Sequence, residues 1–189
     1  MNVFYSSTRA EEGGYTDGQV GVNLDFYFSP LDDRIIRRRV DVAHSHLLVL
    51  RVGYVFEKTP SDSKTPFTEH TVVVELTRRF KLPKKILVSD RNRGDLRFKN
   101  GEFLPLYRNE LTIERSFSLG KRALTPYASA EAFYDSIYDK FDQFRYIAGS
   151  ELEVNKHLVF RAYYLRQHVT NPNSQSTNIL GLKAQVFFH

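Results

Sequence analysis

Hydrophobic and polar residues alternate along most of this chain with a period of two, which predicts β-strands with one apolar and one polar face. The last strand shows the pattern best, because one of its faces is apolar throughout: Leu180, Leu182, Ala184, Val186 and Phe188. The candidate strands are Asn2–Arg9, Gly18–Ser29, Ala43–Glu57, Glu69–Phe80, Lys85–Phe98, Leu104–Ser118, Ala123–Asp135, Phe141–Val154, His157–Val169 and Thr177–Phe188. The chain is therefore predicted to be all-β.

The lengths of these segments and of the links between them indicate a barrel that crosses a membrane. Most reach the roughly 9–11 residues that a tilted strand needs to cross a bilayer, about twice the length of an ordinary strand. Longer polar links interleave with tight turns, as in outer-membrane barrels, where the short turns form one rim. We expect a single domain over residues 1–189, an antiparallel up-and-down transmembrane β-barrel of about ten strands, with eight or twelve as the alternatives.

One link departs from this alternation. The segment Ser29–Asp33 has a serine N-cap, a proline and acidic residues in the first turn, so one short helix is an option over residues 30–41, and an extra strand is the other. The segment carries a basic cluster that suits a solvated turn or contact with anionic lipid head groups: Arg34, Arg37, Arg38 and Arg39.

Composition removes several classes of function. The formal net charge of +5 comes from interleaved acidic and basic residues, so nucleic-acid binding is not expected. The absence of cysteine excludes disulfides, iron–sulfur clusters and thiol catalysis. The mean hydropathy is -0.41 and no apolar run approaches the roughly 18 residues of a transmembrane helix. A membrane β-barrel is still allowed, because only alternate residues of its strands meet lipid.

The two ends of the chain bear on export. Met1–Tyr5 runs directly into polar Ser6–Arg9 without the pattern of a signal peptide, and we expect that a signal has been removed. A final strand that ends on an aromatic residue is typical of chains folded into a bacterial outer membrane, although here His189 follows Phe188. The expected partners are therefore outer-membrane lipids and, through the C-terminal strand, the barrel-assembly machinery.

Short motifs along the chain resemble a known family. In order they are Ser89–Arg97, Tyr107–Leu111, Leu124–Tyr127, Glu131–Asp135, Arg145-Tyr146, Gly149, Arg166-Gln167 and Leu180–Leu182. Their serial order resembles the uncharacterised bacterial outer-membrane family known as domain of unknown function 2490, over roughly residues 18–188. The resemblance implies a β-barrel in the outer membrane of a Gram-negative bacterium, and it supplies no activity.

The polar faces of the central strands carry both signs of charge, which predicts a charged network in the lumen. Its predicted members are Arg91, Arg93, Asp95, Arg97, Arg108, Glu110, Glu114, Glu131, Asp135, Arg145, Glu151 and Gln167. Unpaired charges in a narrow barrel are costly, so one interpretation is an ion-paired polar filling. The other is a porin-like constriction that selects solutes or binds a small anionic solute through the five arginines. Because about eight strands leave an interior just filled by side chains, we expect a narrow or plugged lumen.

Catalytic and metal chemistry have little support in the sequence. His44-Ser45-His46 places a serine between two histidines, but on a strand Ser45 points away from both. His70, His157 and His168 are scattered singly, without the spacing of metal ligands. We therefore expect no catalytic residue, no metal and no cofactor.

Two other classes of protein stay open. A soluble lipocalin-like ligand-binding barrel would show the same alternation, with an apolar inside and a charged outside. A lipid-modifying outer-membrane enzyme would need a serine and a histidine within hydrogen-bond reach at one rim. The direction in which Leu180, Leu182 and Val186 are buried separates the soluble barrel from the membrane barrel.

Overall fold

The chain forms one antiparallel sheet. The computed structural model describes residues 2–9, 16–30, 46–59, 66–120, 122–136, 139–155, 157–170 and 176–186. Its strands are β1 (Asn2–Arg9), β2 (Thr16–Pro30), β3 (His46–Lys58), β4 (Thr68–Leu82), β5 (Ile86–Lys99), β6 (Glu102–Phe103), β7 (Leu106–Arg115), β8 (Phe117–Leu119), β9 (Arg122–Asp135), β10 (Lys140–Asn155), β11 (Leu158–Val169) and β12 (Thr177–Val186). Ten strands form a path in chain order, while the short β6 and β8 pair with β5 and β9. The predicted all-β, up-and-down antiparallel architecture is confirmed.

The observed strand bounds differ from the predicted ones at a few positions. The predicted strand Leu104–Ser118 is divided at Ser116 into β7, which pairs with β5 and β9, and β8, which pairs with β9 alone. Pro30 ends β2 instead of opening a helix. Several predictions fall outside the described residues: the rest of the helix over 30–41, the arginine cluster within it, His44 and Ser45, and Phe188.

Tight turns lie at one end of the sheet, which we call the short-turn end. There the 3-10 turn Pro83–Lys85 joins β4 to β5, and Gly120 lies in the turn from β8 to β9. At the opposite end, Asn100 and Gly101 have φ angles of 51° and 88°, as a two-residue type I′ hairpin turn requires. No helix in the described part of the chain is long and apolar enough to cross a membrane.

Alternate residues of several strands, most clearly β4 and β9, are buried, which gives the sheet two different faces. In β4, Glu75 is buried while the adjacent Val74 and Leu76 are exposed. We call the face that carries Glu75 the inner face and the opposite one the outer face. The register with β11 puts Leu180, Leu182 and Ala184 of β12 on the outer face and Lys183 on the inner face; the side chain of Val186 is outside the description.

The last strand, β12, is an edge strand among the described residues. Leu180 and Leu182 are 86% and 88% exposed, whereas Leu111 on the outer face of β7, which has a neighbour on each side, is 53% exposed. Pairing within the described residues runs from β1 to β12 without a ladder between these two strands. Within the described residues, the outer edge of β12 therefore presents unpaired backbone N–H and C=O groups that a further strand could pair with.

Two tyrosines of the inner face lie across glycines of the neighbouring strand. The ring of Tyr163 occupies the space where a Cβ atom on Gly181 would stand. At Gly149, the hydroxyl oxygen of Tyr127 and the Cβ of Tyr163 each lie 2.8 Å from the equivalent position. A side chain at either glycine would collide with a ring, which explains the residue type at both positions.

Candidate functional site

The inner face is polar and the outer face is apolar. Among the described residues, the buried polar and charged side chains are Thr59, Thr71, Glu75, Thr77, Arg79, Asp95, Glu114, Thr125, Ser129, Glu131 and Glu151, and they outnumber the buried apolar ones. The outer faces of β2 to β11 expose large apolar side chains, including Leu24, Phe26, Val74, Leu111 and Phe160. This arrangement is the reverse of a water-soluble barrel, and it does not fit the lipocalin-like alternative.

Arg91 of β5 is the centre of an ion-pair network on the inner face. Its guanidinium lies 2.6 Å from Glu110 and 2.9 Å from Glu131, and a longer contact of 3.7 Å reaches Glu75. Glu110 stands directly opposite Arg91 in the β5–β7 register, and Glu131 directly opposite Glu110 in the β7–β9 register. One arginine therefore joins carboxylates from three other strands.

The network extends from Glu75 towards the amino-terminal strands. Arg51 of β3 lies 3.6 Å from Glu75 and 2.6 Å from Asp25 of β2. It binds Asp25 through two hydrogen bonds, donated by Nε and Nη2, which is the bidentate geometry that arginine makes with a carboxylate. The Asp25 side chain is only 2% exposed, so the Arg51 guanidinium supplies the counter-charge of a carboxylate that has little contact with solvent.

A branch of the network runs along β5 towards the longer loops. Arg93 lies 3.8 Å from Glu75 and 2.7 Å from Asp95. Asp95 also accepts a hydrogen bond of 2.6 Å from Arg108 of β7, whose guanidinium lies 5.8 Å from the ring centre of Phe133. The buried Asp95 carboxylate is thus shared by two arginines.

On the other side, the network reaches β11. Glu131, which is 4% exposed, accepts a hydrogen bond of 3.1 Å from Arg145 of β10. Arg145 also donates to the amide oxygen of Gln167 on β11, at 3.1 Å. The guanidinium of Arg145 lies 4.9 Å from the ring centre of Phe133, so it is held by a carboxylate, an amide and an aromatic face.

These residues form what we call the central network, which spans β2 to β11. Its charged members are Asp25, Arg51, Glu75, Arg91, Arg93, Asp95, Arg108, Glu110, Glu131 and Arg145. Five arginines meet five carboxylates, so the formal charge of the set is zero. Each arginine side chain retains between 18% and 28% exposure, which leaves part of the network in contact with solvent.

The structure brings together eight of the twelve polar residues that the sequence singled out for a network. The other four lie elsewhere on the inner face. Arg97 and Asp135 form a separate pair at 3.6 Å near the longer loops. Glu151 pairs with Arg161 nearer the short-turn end. Glu114 has no ion pair or side-chain hydrogen bond within the described part of the chain.

Sequence reasoning missed several charged residues of the inner face. They are Asp25, Arg51, Glu75, Arg79 and Arg161. All of them occupy the polar face of an alternating segment, so the signal that selected Arg91 was present for them too. The predicted network covers the polar faces between Arg91 and Glu151, with Gln167, and these five residues lie outside that part of the sequence.

A cavity of about 310 Å³ opens on the inner face, and side chains from β3 to β11 line it. Arg91 and Glu110 of the central network form part of its wall. The lining continues towards the short-turn end through Thr112 and Glu114 of β7. The cavity is therefore a polar space next to the network.

A cluster of hydrogen-bonded polar side chains interrupts the apolar outer face on β5 and β7. Asp90 accepts hydrogen bonds from the side-chain amides of Asn92, at 3.1 Å, and Asn109, at 2.8 Å. Tyr107 donates to the amide oxygen of Asn92 at 2.5 Å. The motif Ser89–Arg97 thus contributes side chains to both faces of the sheet. Its outward polar side chains hydrogen-bond with one another and with those of β7, which lowers the free-energy cost of placing them on an apolar surface.

One serine–histidine contact lies near the end opposite the short turns. The Nδ1 atom of His168 is 3.1 Å from the hydroxyl oxygen of Ser176, and both residues are exposed. A nucleophile–base pair of this kind also needs a third group to orient the ring. No carboxylate in the described residues contacts His168, so the pair lacks the arrangement of a catalytic triad.

Comparison with known proteins places the chain in a family. The model of the family described as "Protein of unknown function (DUF2490)" matches residues 14–178. Among solved structures, the chain is similar to the β domain of the Bordetella autotransporter BrkA, with a TM-score of 0.58, 15% sequence identity, and coverage of 98% of this chain and 81% of that one. At this identity the likeness concerns the fold alone, and no curated protein matches the chain. Because the family model covers most of the sequence, this chain belongs to the DUF2490 family of proteins of unknown function.

Proposed function

We propose that this chain is a β-barrel of the bacterial outer membrane whose lumen is filled by the central network, so that it is a narrow or plugged barrel. The observation that carries the proposal is the inverted burial, with charged side chains inside and large apolar side chains outside. Lipid favours such an outer face, because in water the same face would be an extended apolar surface exposed to solvent.

Strand length and turn placement support the membrane location. The path strands β2 to β5 and β9 to β11 have 12 to 16 residues, which is enough to cross a bilayer at a tilt. The short-turn end would face the periplasm, as it does in outer-membrane barrels. The likeness of fold to an autotransporter β domain supports the same location.

Ion pairing supports a lumen that conducts poorly. All five arginines of the central network already contact carboxylates, and those pairs reach from β2 to β10. A permeating anion would have to displace a carboxylate from an arginine, so the alternative interpretation, a constriction that binds a small anionic solute, lacks a guanidinium without a carboxylate contact in the central network. We therefore propose a structural role for the network ahead of a selective constriction.

The C-terminal strand is the proposed contact with the barrel-assembly machinery. Among the described residues, β12 combines a backbone edge that has no strand partner with the two most exposed leucines, Leu180 and Leu182. A partner that adds a strand to this edge would bind backbone groups and cover apolar side chains together.

A pair of leucine-to-arginine variants tests the membrane location. Leu111 lies midway along β7 and Leu119 at the short-turn end of β8, and they are 53% and 55% exposed on the outer face. In a bilayer, Leu111→Arg should cost about 2–4 kcal/mol of unfolding free energy and Leu119→Arg about 0–1 kcal/mol, because the cost depends on depth. Urea unfolding in liposomes measures both. Equal costs, or a folded monomer in buffer without detergent, would overturn the membrane location.

Planar-bilayer recording tests the plugged lumen. The refolded chain should insert with no steady current, or with a conductance far below that of a wide porin. A large, steady conductance would overturn the plugged lumen while leaving the membrane location intact.

A further inference from the structure

One carboxylate of the inner face is buried without a partner. Glu114 of β7 is 7% exposed and lines the cavity described above. Its Oε1 atom is buried and accepts no hydrogen bond, and no ion pair or side-chain hydrogen bond engages Glu114 within the described residues. The carboxylates of the central network differ, since each lies next to at least one arginine.

Burying a carboxylate without a partner is costly, and proteins normally pair such groups with a cation or satisfy them with hydrogen-bond donors. The four arginines of the cavity wall, which include Arg51 of the central network, contact other acceptors, although the Nε groups of Arg79, Arg91 and Arg161 donate no hydrogen bond to the described residues. Arg91 contacts the carboxylates of the central network, Arg161 pairs with Glu151, and Arg79 donates to the backbone oxygen of His46 at 2.7 Å. Glu114 therefore faces a cavity that a positively charged group could enter.

Hydroxyl groups line the same cavity as this carboxylate. Ser89, Thr112 and Ser129 line the same cavity, and they stand opposite one another in the registers of β5, β7 and β9. None of the three makes a side-chain hydrogen bond among the described residues. Thr112 is two residues from Glu114 on the same face of β7, so hydroxyl groups from three strands line the cavity one position away from the carboxylate, which itself stands opposite Leu87 and Tyr127.

We propose that this cavity binds a small organic cation through a primary ammonium group, with Glu114 as the counter-ion. An ammonium group has three N–H donors, which match one carboxylate and two hydroxyl acceptors. A divalent metal site uses more negative charge than one carboxylate provides. A quaternary ammonium has no N–H to donate and is bound by aromatic cages instead. The cavity of about 310 Å³ is at the lower end of the range of ligand pockets, so it has room for an ammonium group together with a small organic body.

This site goes beyond the proposed function and does not depend on it. Glu114 lies on the inner face, which detergent does not need to cover. Binding of a cation at this site can therefore be measured with the folded chain in detergent, whatever the membrane location of the protein.

Isothermal titration calorimetry of the purified full chain with ethylammonium chloride tests the site. The Glu114→Gln variant keeps the size of the side chain and removes its charge, and Glu102→Gln is the matched control on an exposed carboxylate. We expect saturable binding in the wild type and in the control, weakened by roughly tenfold or more in Glu114→Gln. Ser129→Ala, which removes one hydroxyl, should weaken binding by a smaller factor.

Tetramethylammonium chloride at the same ionic strength separates ammonium recognition from simple charge attraction, and we expect it not to bind. Thermal unfolding gives a second measurement: ethylammonium should raise the Tm of the wild type and not that of Glu114→Gln. Absence of saturable binding, equal affinity in Glu114→Gln, or equal binding of tetramethylammonium would each overturn the proposal.

Discussion

Removal of the Glu131 carboxylate is the sharpest test of the central network. Glu131 is 4% exposed and accepts hydrogen bonds from Arg91, at 2.9 Å, and from Arg145, at 3.1 Å. In Glu131→Ala, Arg91 keeps Glu110 as its partner, but Arg145 keeps only the neutral amide of Gln167 and the ring of Phe133. The variant therefore leaves one guanidinium on the inner face without a counter-charge.

The expected loss of unfolding free energy follows from these contacts. A hydrogen bond to a charged group contributes about 1.5–3 kcal/mol, and breaking a buried pair by removing one partner costs about 3–5 kcal/mol. The two arginine side chains are 28% exposed, so water offsets part of the loss. We expect Glu131→Ala to cost about 3 kcal/mol.

Urea unfolding of the refolded protein measures this loss. The chain has eleven tyrosines and no tryptophan, so tyrosine fluorescence or circular dichroism reports the transition. Glu102→Ala, on an exposed carboxylate of the short β6, is the matched control and should change the stability by less than about 0.5 kcal/mol. A loss below about 1 kcal/mol in Glu131→Ala, close to that of the control, would refute the view that this pairing holds the inner face together.

Three further predictions address packing, orientation and conduction. Gly149→Ala should destabilise the sheet by about 1–3 kcal/mol because the added methyl meets Tyr127 and Tyr163, whereas Gly94→Ala, which has open space around its Cβ position, should be nearly neutral in the same urea assay. Leu182→Arg should cost up to about 2–4 kcal/mol in liposomes and Lys183→Ala little, and equal tolerance would contradict the assigned outer face. Arg108→Ala should lower the Tm while leaving bilayer conductance unchanged, and a large conductance increase at unchanged Tm would favour a selective lumen.

The fold could be predicted closely because the alternation is strong. The predicted bounds of β10, Phe141–Val154, are each one residue inside the observed ones, although its alternation is interrupted at Asp142-Gln143, where the ladder with β9 has a bulge. The division between β7 and β8 was not predictable from alternation, since the pattern continues through Ser116 while the pairing with β5 does not.

The partners within the candidate site could not be predicted in the same way. Arg91 and Glu131 are forty residues apart and lie on strands separated by β7, so their contact depends on the registers of two ladders. Register is set by turn geometry and bulges, which a period of two does not encode. For the same reason, the sequence could not show that Glu114 has no ion-pair partner among the described residues, because a paired and an unpaired carboxylate have the same sequence pattern.

The neutrality of the central network has a consequence for the order of assembly. Its charges cancel within each sequential unit: Asp25 with Arg51 in β2–β3; Glu75 and Asp95 with Arg91 and Arg93 in β4–β5; Arg108 with Glu110 in β7; and Glu131 with Arg145 in β9–β10. Three of these units are pairs of neighbouring strands and the fourth is the single strand β7, so each unit adds no net charge from the network to the inner face. Assembly in these units would therefore have no stage at which the network carries a surplus of one sign on the inner face.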